Sequence, residues 1–456
     1  MQQLTPLQQL LHADASLLPR AVAVEIVRQF LSSAHPLDTL LHRVLRQWYH
    51  LSQQDRDFVT EVVYGTIRWK RSLAFLLRPF YQPPKAPYRA TLDALLLSGA
   101  YQLLFLDAVP AYAAIDTTVE LSKWFLRKSA RVRLVNAVLR NLQRSCADTP
   151  VSVQLARAPL DIRYSFPPWL VRQLQSHYGD ETEALLRSLN DRPLFGIRRN
   201  VLKIDKSSFE QWLGEQTAFR QWQYDDRCYQ VASVFALQQS EAYRAGWFSL
   251  QDPAAAMVIH VAAPDASRHI LDCCAAPGGK TTFLAEWTKD AASIVALDPD
   301  PRRAERLRAN VQRLGLRSVA VQTTTVEAHR PGEQYDLVLA DVPCSDLGTI
   351  RKHPDIKWRK SAKQIATLQR QQRRILAAAA ALLKPGGVLI YSTCTLSAAE
   401  NEENIAWFLR HFPDFHLEPA EAFLPSELCR DGYLKILPHQ CPTDAAFAAR
   451  LRKAAS

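Results

Sequence analysis

The stretch DCCAAPGGKT, Asp272–Thr281, indicates how the C-terminal half of this 456-residue chain folds. It follows the apolar pair Ile270 and Leu271 and leads into a helix predicted over Thr281–Trp287. A strand that ends in a turn of small residues and glycines, followed by a helix, is typical of a doubly wound α/β sheet. The glycines let a ligand approach the backbone, and the helix N-terminus offers it free N–H groups.

Short apolar runs alternate with amphipathic segments from His269 onward, which is the pattern of a parallel sheet covered by helices. We therefore predict a Rossmann-like domain over residues 249–456. The predicted strands are Ile270–Cys273, Ile294–Asp298, Ala320–Thr323, Leu337–Asp341 and Val388–Ser392. The other predicted helices are Arg302–Leu314, Ala362–Leu383 and one that starts at Ser397, with Glu400 completing a capping box.

The chain before residue 249 predicts two further domains. Apolar residues recur at helical spacing through the N-terminal part, so an all-α domain is predicted over residues 1–147. Residues 145–158 have the composition of a linker. Mixed helix and strand signals follow, including a helix over Trp169–Tyr178, and predict a small α+β connecting domain over residues 160–248.

The charge balance favours a polyanionic partner, because the net charge is +11. Residues 1–150 hold 18 Lys and Arg against 11 Asp and Glu, so most of the excess lies there. Between Leu121 and Ala147 no acidic residue interrupts seven basic ones: Lys123, Arg127, Lys128, Arg131, Arg133, Arg140 and Arg144. Charge alone does not separate a phosphate-binding surface from an ordinary solvated helix face.

Composition excludes several other classes of protein. No stretch reaches the roughly 18 consecutive apolar residues of a membrane-spanning helix, and the N-terminus lacks the pattern of a signal peptide. Eight cysteines are too few for a disulfide-stapled domain, and the absence of a Cys-x-x-Cys pair predicts no metal site. We expect a cytoplasmic protein with no membrane partner, and a monomer by default.

Two of the cysteines follow predicted strands. Cys344 lies in DVPCSDLG, Asp341–Gly348, and Cys394 lies in YSTCTL, Tyr391–Leu396. The carboxyl ends of parallel strands form the edge where ligands bind in such sheets. A following helix N-terminus and Lys280 are expected to lower the pKa of Cys394. The alternative is that both thiols are simply packed in the core.

A nucleoside-containing cofactor is the favoured ligand of the glycine turn. Asp298 closes the next predicted strand, about 20 residues after Gly279, where an acidic residue accepts hydrogen bonds from ribose hydroxyls. The alternative is a structural turn between strand and helix.

Taken together, these motifs resemble those of the RNA cytosine-C5 methyltransferases of the Fmu or Sun family. The resemblance rests on DCCAAPGGKT, LADVPCSDLGT, RKHPDIKW and YSTCTL. Upstream, IDTTVELSK and VNAVLRNL resemble a NusB-like RNA-binding domain, and YSFPPWLV and WFSLQDPAA resemble the connecting domain of the family. The resemblance to the family therefore extends over nearly the whole chain.

The resemblance implies methylation of carbon 5 of a cytosine in 16S ribosomal RNA of the small subunit, with Cys394 as the nucleophile. Cys344 would help to release the product, and Asp341 would lie between the cofactor and the target base. The implied S-adenosylmethionine ligands are Cys274, Ala275, Ala276, Pro277, Gly278, Gly279, Lys280, Asp298 and Asp341.

The sequence departs from the family pattern at several positions. Thr324 stands where an acidic residue is common after the third strand, Asp346 and Val342 replace small residues near Cys344, and TDAAF, Thr443–Phe447, replaces the closing Asp-Gly-Phe-Phe pattern. One alternative is the same chemistry on transfer RNA. Another is a non-catalytic RNA-binding or assembly factor, although both cysteines and Asp341 are intact.

Overall fold

The computed structural model describes Leu10 and residues 14–83, 88–126, 128–265 and 268–455. One compact unit consists of the described residues of Met1–Gln175 and of His353–Arg359, and a second consists of those of Ser176–Lys352 and Lys360–Ser456. The domain boundaries given above remain a prediction. Among the helices of the described residues, none is long and apolar enough to cross a membrane.

The first unit is helical, which confirms the all-α prediction. Leucine, valine and isoleucine side chains from most of its helices share one buried core. The helices are α1 (Leu18–Ser32), α2 (Leu37–Gln47), α3 (Gln53–Arg68), α4 (Lys70–Leu77), α5 (Arg89–Phe105), α6 (Ala111–Leu126), α7 (Ser129–Asp148), α8 (Val151–Ala156) and α9 (Leu160–Arg163). The linker prediction was wrong over most of its length, because only Thr149 and Pro150 separate α7 from α8.

The last six residues of the RKHPDIKW motif belong to this helical unit. The Asp355 carboxylate accepts a hydrogen bond of 3.1 Å from the Leu37 N–H at the start of α2, where no neighbouring side chain caps the helix. Trp358 donates its indole N–H to the Ile67 carbonyl at 2.8 Å. Asp355 and Trp358 therefore satisfy backbone groups at two helix ends, which is a structural reason for the motif.

A small antiparallel sheet opens the second unit and agrees with the predicted α+β region. Its strands lie in the order β2-β3-β1-β4. They are β1 (Phe195–Arg199), β2 (Phe219–Gln221), β3 (Cys228–Val231) and β4 (Phe248–Leu250). Helix α10 (Pro168–Tyr178) precedes this region, and its residues up to Gln175 belong to the first unit. The helices of the region are α11 (Thr182–Ser188), α12 (Lys206–Gln216), α13 (Phe235–Gln239), α14 (Glu241–Arg244) and α15 (Pro253–Ala262).

A nine-stranded mixed sheet forms the rest of the unit and confirms the Rossmann-like prediction. Its order is β11-β12-β13-β9-β8-β5-β6-β7, with β10 paired to β13. The five parallel strands are β5 (His269–Asp272), β6 (Ser293–Leu297), β7 (Val319–Gln322), β8 (Tyr335–Asp341) and β9 (Leu383–Thr393). The antiparallel strands, which the sequence did not predict, are β10 (Phe415–Glu418), β11 (Cys429–Arg430), β12 (Tyr433–Ile436) and β13 (Ala446–Lys453).

The helices around this sheet agree with the predictions except at their ends. They are α16 (Gly279–Trp287), α17 (Pro301–Leu314), α19 (Ala362–Ala381) and α20 (Glu402–His411). The short helix α18 (Ile356–Arg359), which the sequence did not predict, belongs to the first unit. The predicted capping box was wrong, because α20 begins after Asn401 rather than Ser397. The Ser397 N–H instead donates to Thr395 Oγ1 at 3.3 Å, and the Glu400 side chain binds elsewhere.

A buried arginine joins the small sheet to the helix that follows the glycine turn. Arg198, on β1, is 0% exposed, and its guanidinium lies 2.8 Å from the Glu286 carboxylate on α16. It also donates to the Gly279 carbonyl at 3.0 Å and to Thr282 Oγ1 at 3.2 Å. Arg198 therefore fixes the first turn of α16, although nothing in the local sequence indicates this role.

Replacing Arg198 with methionine should destabilise the second unit by about 3–5 kcal/mol, because Glu286 would remain buried without its charge partner. The double variant Arg198→Met/Glu286→Leu should recover most of that loss, whereas Arg306→Met, at an exposed position of α17, should change little. Differential scanning calorimetry provides the comparison. Equal stabilities for the single and double variants would contradict this role of the ion pair.

Candidate functional site

The two cysteine motifs meet because β8 and β9 pair in parallel at their carboxyl ends. Asp341 lies opposite Ser392 in the ladder, and the Val342 N–H donates to the Ser392 carbonyl at 3.1 Å. Beyond the ladder, the sulfur atoms of Cys344 and Cys394 are 3.4 Å apart. Two thiols separated by 50 positions in sequence therefore occupy one site.

A buried carboxylate holds the two loops together. Glu400 is 0% exposed, and it accepts hydrogen bonds from the Ser345 N–H at 2.8 Å and from the Ser345 hydroxyl at 2.5 Å. Gln372, on α19, donates to Glu400 at 3.0 Å and to the Pro343 carbonyl at 2.9 Å. Burial raises the pKa of Glu400. This acidic residue thus braces the Pro-Cys turn instead of capping a helix.

Close packing at Gly348 keeps the cysteine loops in contact. Its N–H donates to the Cys394 carbonyl at 3.0 Å. A Cβ atom at this position would lie 2.6 Å from the same carbonyl oxygen and 2.5 Å from Ala445 Cβ. Because neither neighbour is the end of a flexible side chain, only glycine fits here without moving the loop.

The environment of the thiols favours their protonated forms. The hydrogen bond with Cys344 and burial raise the pKa of Cys394 well above its usual value, and the negative charges of Asp346 and Asp341 add to this effect. The expected lowering of the pKa by Lys280 was wrong. The Lys280 ammonium is 2.9 Å from the Asp341 carboxylate, so its charge is largely compensated.

The carboxylate of Asp341 is held on both sides. Its Oδ2 pairs with Lys280, and its Oδ1 accepts a hydrogen bond of 2.7 Å from the Ser392 hydroxyl. The side chain is still 31% exposed, so it faces the cleft at the end of β8. Lys280 follows the glycine turn, and the pair therefore links that turn to the cysteine loops.

Three carbonyls of the glycine turn are held by side chains from outside it. Arg303 donates to the Ala276 carbonyl at 2.5 Å, Asn310 donates to the Pro277 carbonyl at 3.0 Å, and Arg198 binds the Gly279 carbonyl as described above. Because these bonds fix the backbone, the turn is preorganised for a ligand.

The turn fits a nucleoside-containing cofactor on two observations. Gly278 has a φ of 108°, and a side chain on it would collide with Leu307, so this turn conformation requires glycine. The Asp272 carboxylate beneath the turn accepts a bond of 2.7 Å from Thr281, whereas its buried Oδ1 has no hydrogen-bond partner among the described residues. A buried polar atom without a partner calls for an explanation, and a polar group of a bound ligand is one.

The second acidic group of the turn region is Asp298, directly after β6. It is 1% exposed, and its carboxylate accepts a bond of 3.0 Å from the Asp300 N–H and lies 3.3 Å from Arg303. Thr324 follows β7 and bonds only to its neighbour's carbonyl among the described contacts. Burial raises the pKa of Cys274, and the charge of Glu327, which the sequence motifs did not indicate, adds to this effect.

The basic run between Leu121 and Ala147 spans the end of α6 and most of α7, and its charge is partly neutralised. Arg140 pairs with Asp116 at 2.7 Å, Lys123 pairs with Glu120 at 2.5 Å, and the Arg131 guanidinium stacks on Tyr88. Arg127 lies outside the described residues. Lys128 and Arg133, two further basic residues of the run, are exposed, so both interpretations of this face stay open.

Asp272 should make stability depend on pH. Burial raises the pKa of Asp272 to about 7, so the folded protein favours the protonated acid. Stability is therefore fully present below the unfolded pKa and is lost as pH rises towards 7, by about 1.4 kcal/mol for each pH unit. The Asp272→Asn variant does not titrate at this position, so its melting temperature should rise relative to that of wild type between pH 5 and pH 8. If the difference in melting temperature between the variant and wild type is the same at pH 5 and at pH 8, this expectation is contradicted.

Three segments of the chain match known families. Residues 259–452 match the 16S rRNA methyltransferase RsmB/F family, residues 17–144 match the NusB family, and residues 166–221 match a ferredoxin-like domain described as RsmF/B-like. These segments coincide with the large sheet, the helical unit and the start of the small antiparallel region.

Relatives and a solved structure extend this similarity to almost the entire chain. A probable ribosomal RNA small subunit methyltransferase B of Synechocystis is 36% identical, with 95% of this chain and 99% of that protein covered. The ribosomal RNA small subunit methyltransferase B of Vibrio cholerae is 34% identical, with 91% and 95% covered. The crystal structure of PH0851 has a TM-score of 0.78 and 27% identity, covering 95% of this chain and 99% of that one. The chain therefore belongs to the ribosomal RNA small subunit methyltransferase B family.

Proposed function

We propose that this protein methylates carbon 5 of a cytosine in 16S ribosomal RNA through a covalent adduct with Cys394. The observation that carries the proposal is the pair of thiols 3.4 Å apart, next to the Lys280–Asp341 pair at the end of the glycine turn. The names of the relatives support small-subunit ribosomal RNA as the substrate.

The Cys394 thiol is proposed to make carbon 5 of the cytosine ring nucleophilic enough to accept a methyl group. Carbon 5 of cytosine is a weak nucleophile. When Cys394 Sγ loses its proton and bonds to carbon 6, the ring becomes an enamine whose carbon 5 attacks an electrophilic methyl group. The cofactor of this methyltransferase family is S-adenosylmethionine, which supplies that methyl group as a sulfonium. Neither face of the base is open within a stacked helix, so the target nucleotide must be unpaired or flipped out.

The residues proposed to hold the cofactor are those of the turn, Cys274 to Lys280, together with Asp298. Side chains hold the carbonyls of the turn, and the N–H groups at the start of α16 are left for the ligand. Asp298, at the end of β6, is placed to accept hydrogen bonds from ribose hydroxyls.

Asp341 is proposed to bind the N3 and amino edge of the cytosine. Its carboxylate is fixed by Ser392 and Lys280, so it presents a defined orientation to the base. Negative charge develops on the ring as the sulfur adds, so N3 takes up the proton that Cys394 loses, and the preorganised carboxylate accepts hydrogen bonds from the N3–H and the amino group.

Cys344 is proposed to act after methyl transfer. Carbon 5 then carries both a methyl group and a proton, and the proton must leave before the bond between Cys394 Sγ and carbon 6 can break. Because Cys344 Sγ is 3.4 Å from Cys394 Sγ, it lies beside the adduct, and once its own proton has left to solvent its thiolate is the candidate proton acceptor. The two thiols therefore have different roles in one cycle. That the enzyme acts as a cytoplasmic monomer stays a prediction from the sequence.

The proposed roles of the two cysteines predict different catalytic defects in two single variants. With labelled methyl donor and unmodified small-subunit RNA, only wild type should turn over. Cys344→Ala should accumulate RNA covalently attached to protein, because the adduct forms but is not resolved, whereas Cys394→Ala should form no adduct. Bulk transfer RNA serves as the parallel substrate, and denaturing gels measure the attached RNA.

Cys441→Ala is a matched control, since this half-buried thiol lies outside the site. Methyl transfer to transfer RNA alone would overturn the proposed substrate. Binding of RNA without methyl transfer to either substrate would instead indicate a non-catalytic RNA-binding factor.

A further inference from the structure

The two thiols of the site share a third neighbour, the carboxylate of Asp346. Asp346 Oδ1 lies 3.5 Å from Cys344 Sγ and 3.4 Å from Cys394 Sγ, and the two sulfur atoms are 3.4 Å apart. The three atoms form a nearly equilateral triangle. Among the described residues, this is the one group of three or more His, Cys, Asp or Glu side chains with ligand atoms this close together.

We propose that Cys344, Cys394 and Asp346 form a binding site for a single zinc ion. Zinc binds thiolate sulfur at about 2.3 Å and carboxylate oxygen at about 2.0–2.2 Å, so ligand atoms in a tetrahedral site are about 3.5–3.8 Å apart. The triangle needs to widen by only a few tenths of an ångström. The two thiol protons leave to solvent as the ion binds, and water takes the fourth position.

The surrounding charges balance such an ion. Two thiolates and the Asp346 carboxylate carry three negative charges, and zinc supplies two positive ones. The Lys360 ammonium supplies the third, since it lies 3.6 Å from Asp346 Oδ2. The two carboxylate oxygens therefore have separate partners, with Oδ1 towards the thiols and Oδ2 towards the lysine. Outer contacts of this kind orient a ligand and raise metal affinity.

The site also has an entry path. The Asp346 side chain is 45% exposed, whereas Cys344 is 7% exposed. An ion arriving from solvent therefore meets the carboxylate before the thiols. The sequence predicts no metal site because the ligands come from two motifs 50 positions apart and not from a Cys-x-x-Cys pair.

Zinc bound at this position inhibits methylation. The nucleophile cannot bond to carbon 6 of cytosine while its sulfur is bound to the metal, so occupancy by zinc and formation of the RNA adduct exclude one another. This consequence rests on the proposed function, whereas the binding site itself does not.

Zinc binding by the full chain tests the site directly. Reduced, metal-stripped protein is titrated with Zn²⁺ against a chromophoric chelator, and Cd²⁺ is used in parallel because its thiolate complexes absorb in the ultraviolet. Wild type should bind one ion with high affinity. Asp346→Gly should weaken the binding at least about tenfold, and Cys394→Ala, which leaves one thiolate, should strongly reduce the cadmium–thiolate absorption of the site.

The chosen variants separate loss of the site from loss of the fold. Asp346 has a φ of 59°, a backbone conformation that glycine adopts freely, so Asp346→Gly should melt at the wild-type temperature or above it. Cys441→Ala should bind zinc like wild type. Equal zinc affinity for wild type and Asp346→Gly, or no high-affinity ion in wild type, would overturn the proposal.

Inhibition provides a second, separate readout. Zinc should inhibit wild-type methyl transfer, the chelator should restore it, and Asp346→Gly should require at least about tenfold more zinc for the same inhibition. If zinc binds as described but the metal-free protein methylates no RNA, the site stands and the proposed function fails. If bound zinc leaves the rate of methylation unchanged, the proposed inhibition by zinc is wrong.

Discussion

The parallel pairing of β8 with β9 is the constraint on which the site depends. Asp341 and Ser392 lie opposite one another at the last step of the ladder. The two thiols proposed to act on the base follow these positions within three residues. Side chains alternate between the faces of a strand, so a slip of one residue would turn Asp341 away from the cleft and separate the thiols. The fold therefore sets the sulfur–sulfur distance through backbone hydrogen bonds.

Buried charges keep the loops beyond the ladder in place. Glu400 braces the Pro-Cys turn, and the Arg198–Glu286 pair fixes the helix that starts at the glycine turn. Both are isolated from solvent, where a missing partner costs several kcal/mol. This arrangement holds two loops rigidly against each other while the thiols and Asp341 remain at the edge of the cleft. Rigid support of this kind favours a preorganised site over one assembled by the substrate.

Much of this organisation is visible in the sequence because it follows local rules. Strand and helix alternation predicts the parallel sheet, and the two cysteine motifs follow strands that the pattern identifies. The roles of Glu400 and Arg198 were not predictable, because their partners lie 55 and 88 positions away. Ser397 and Glu400 have the spacing of a capping box, yet a tertiary contact takes the carboxylate. The antiparallel strands β10 to β13 were missed because most of them are short, and β11 has only two residues.

The raised pKa of the two thiols could not be predicted from the sequence either. A nearby lysine lowers the pKa of a thiol only if no carboxylate compensates its charge, and here Asp341 pairs with Lys280. Asp346 adds a further negative charge beside both sulfur atoms. The raised pKa of Cys394, the proposed nucleophile, favours its protonated form, so in the proposed mechanism deprotonation accompanies attack on the base.

The most direct measurement uses small-subunit RNA in which cytidine is replaced by 5-fluorocytidine. Fluorine cannot leave carbon 5 as a proton does, so an adduct that has accepted the methyl group persists through denaturation. Digestion and mass spectrometry then identify the attached residue. We predict methylated RNA bound to Cys394; attachment to Cys344, or no attachment by protein that methylates ordinary RNA, would contradict the proposed covalent mechanism.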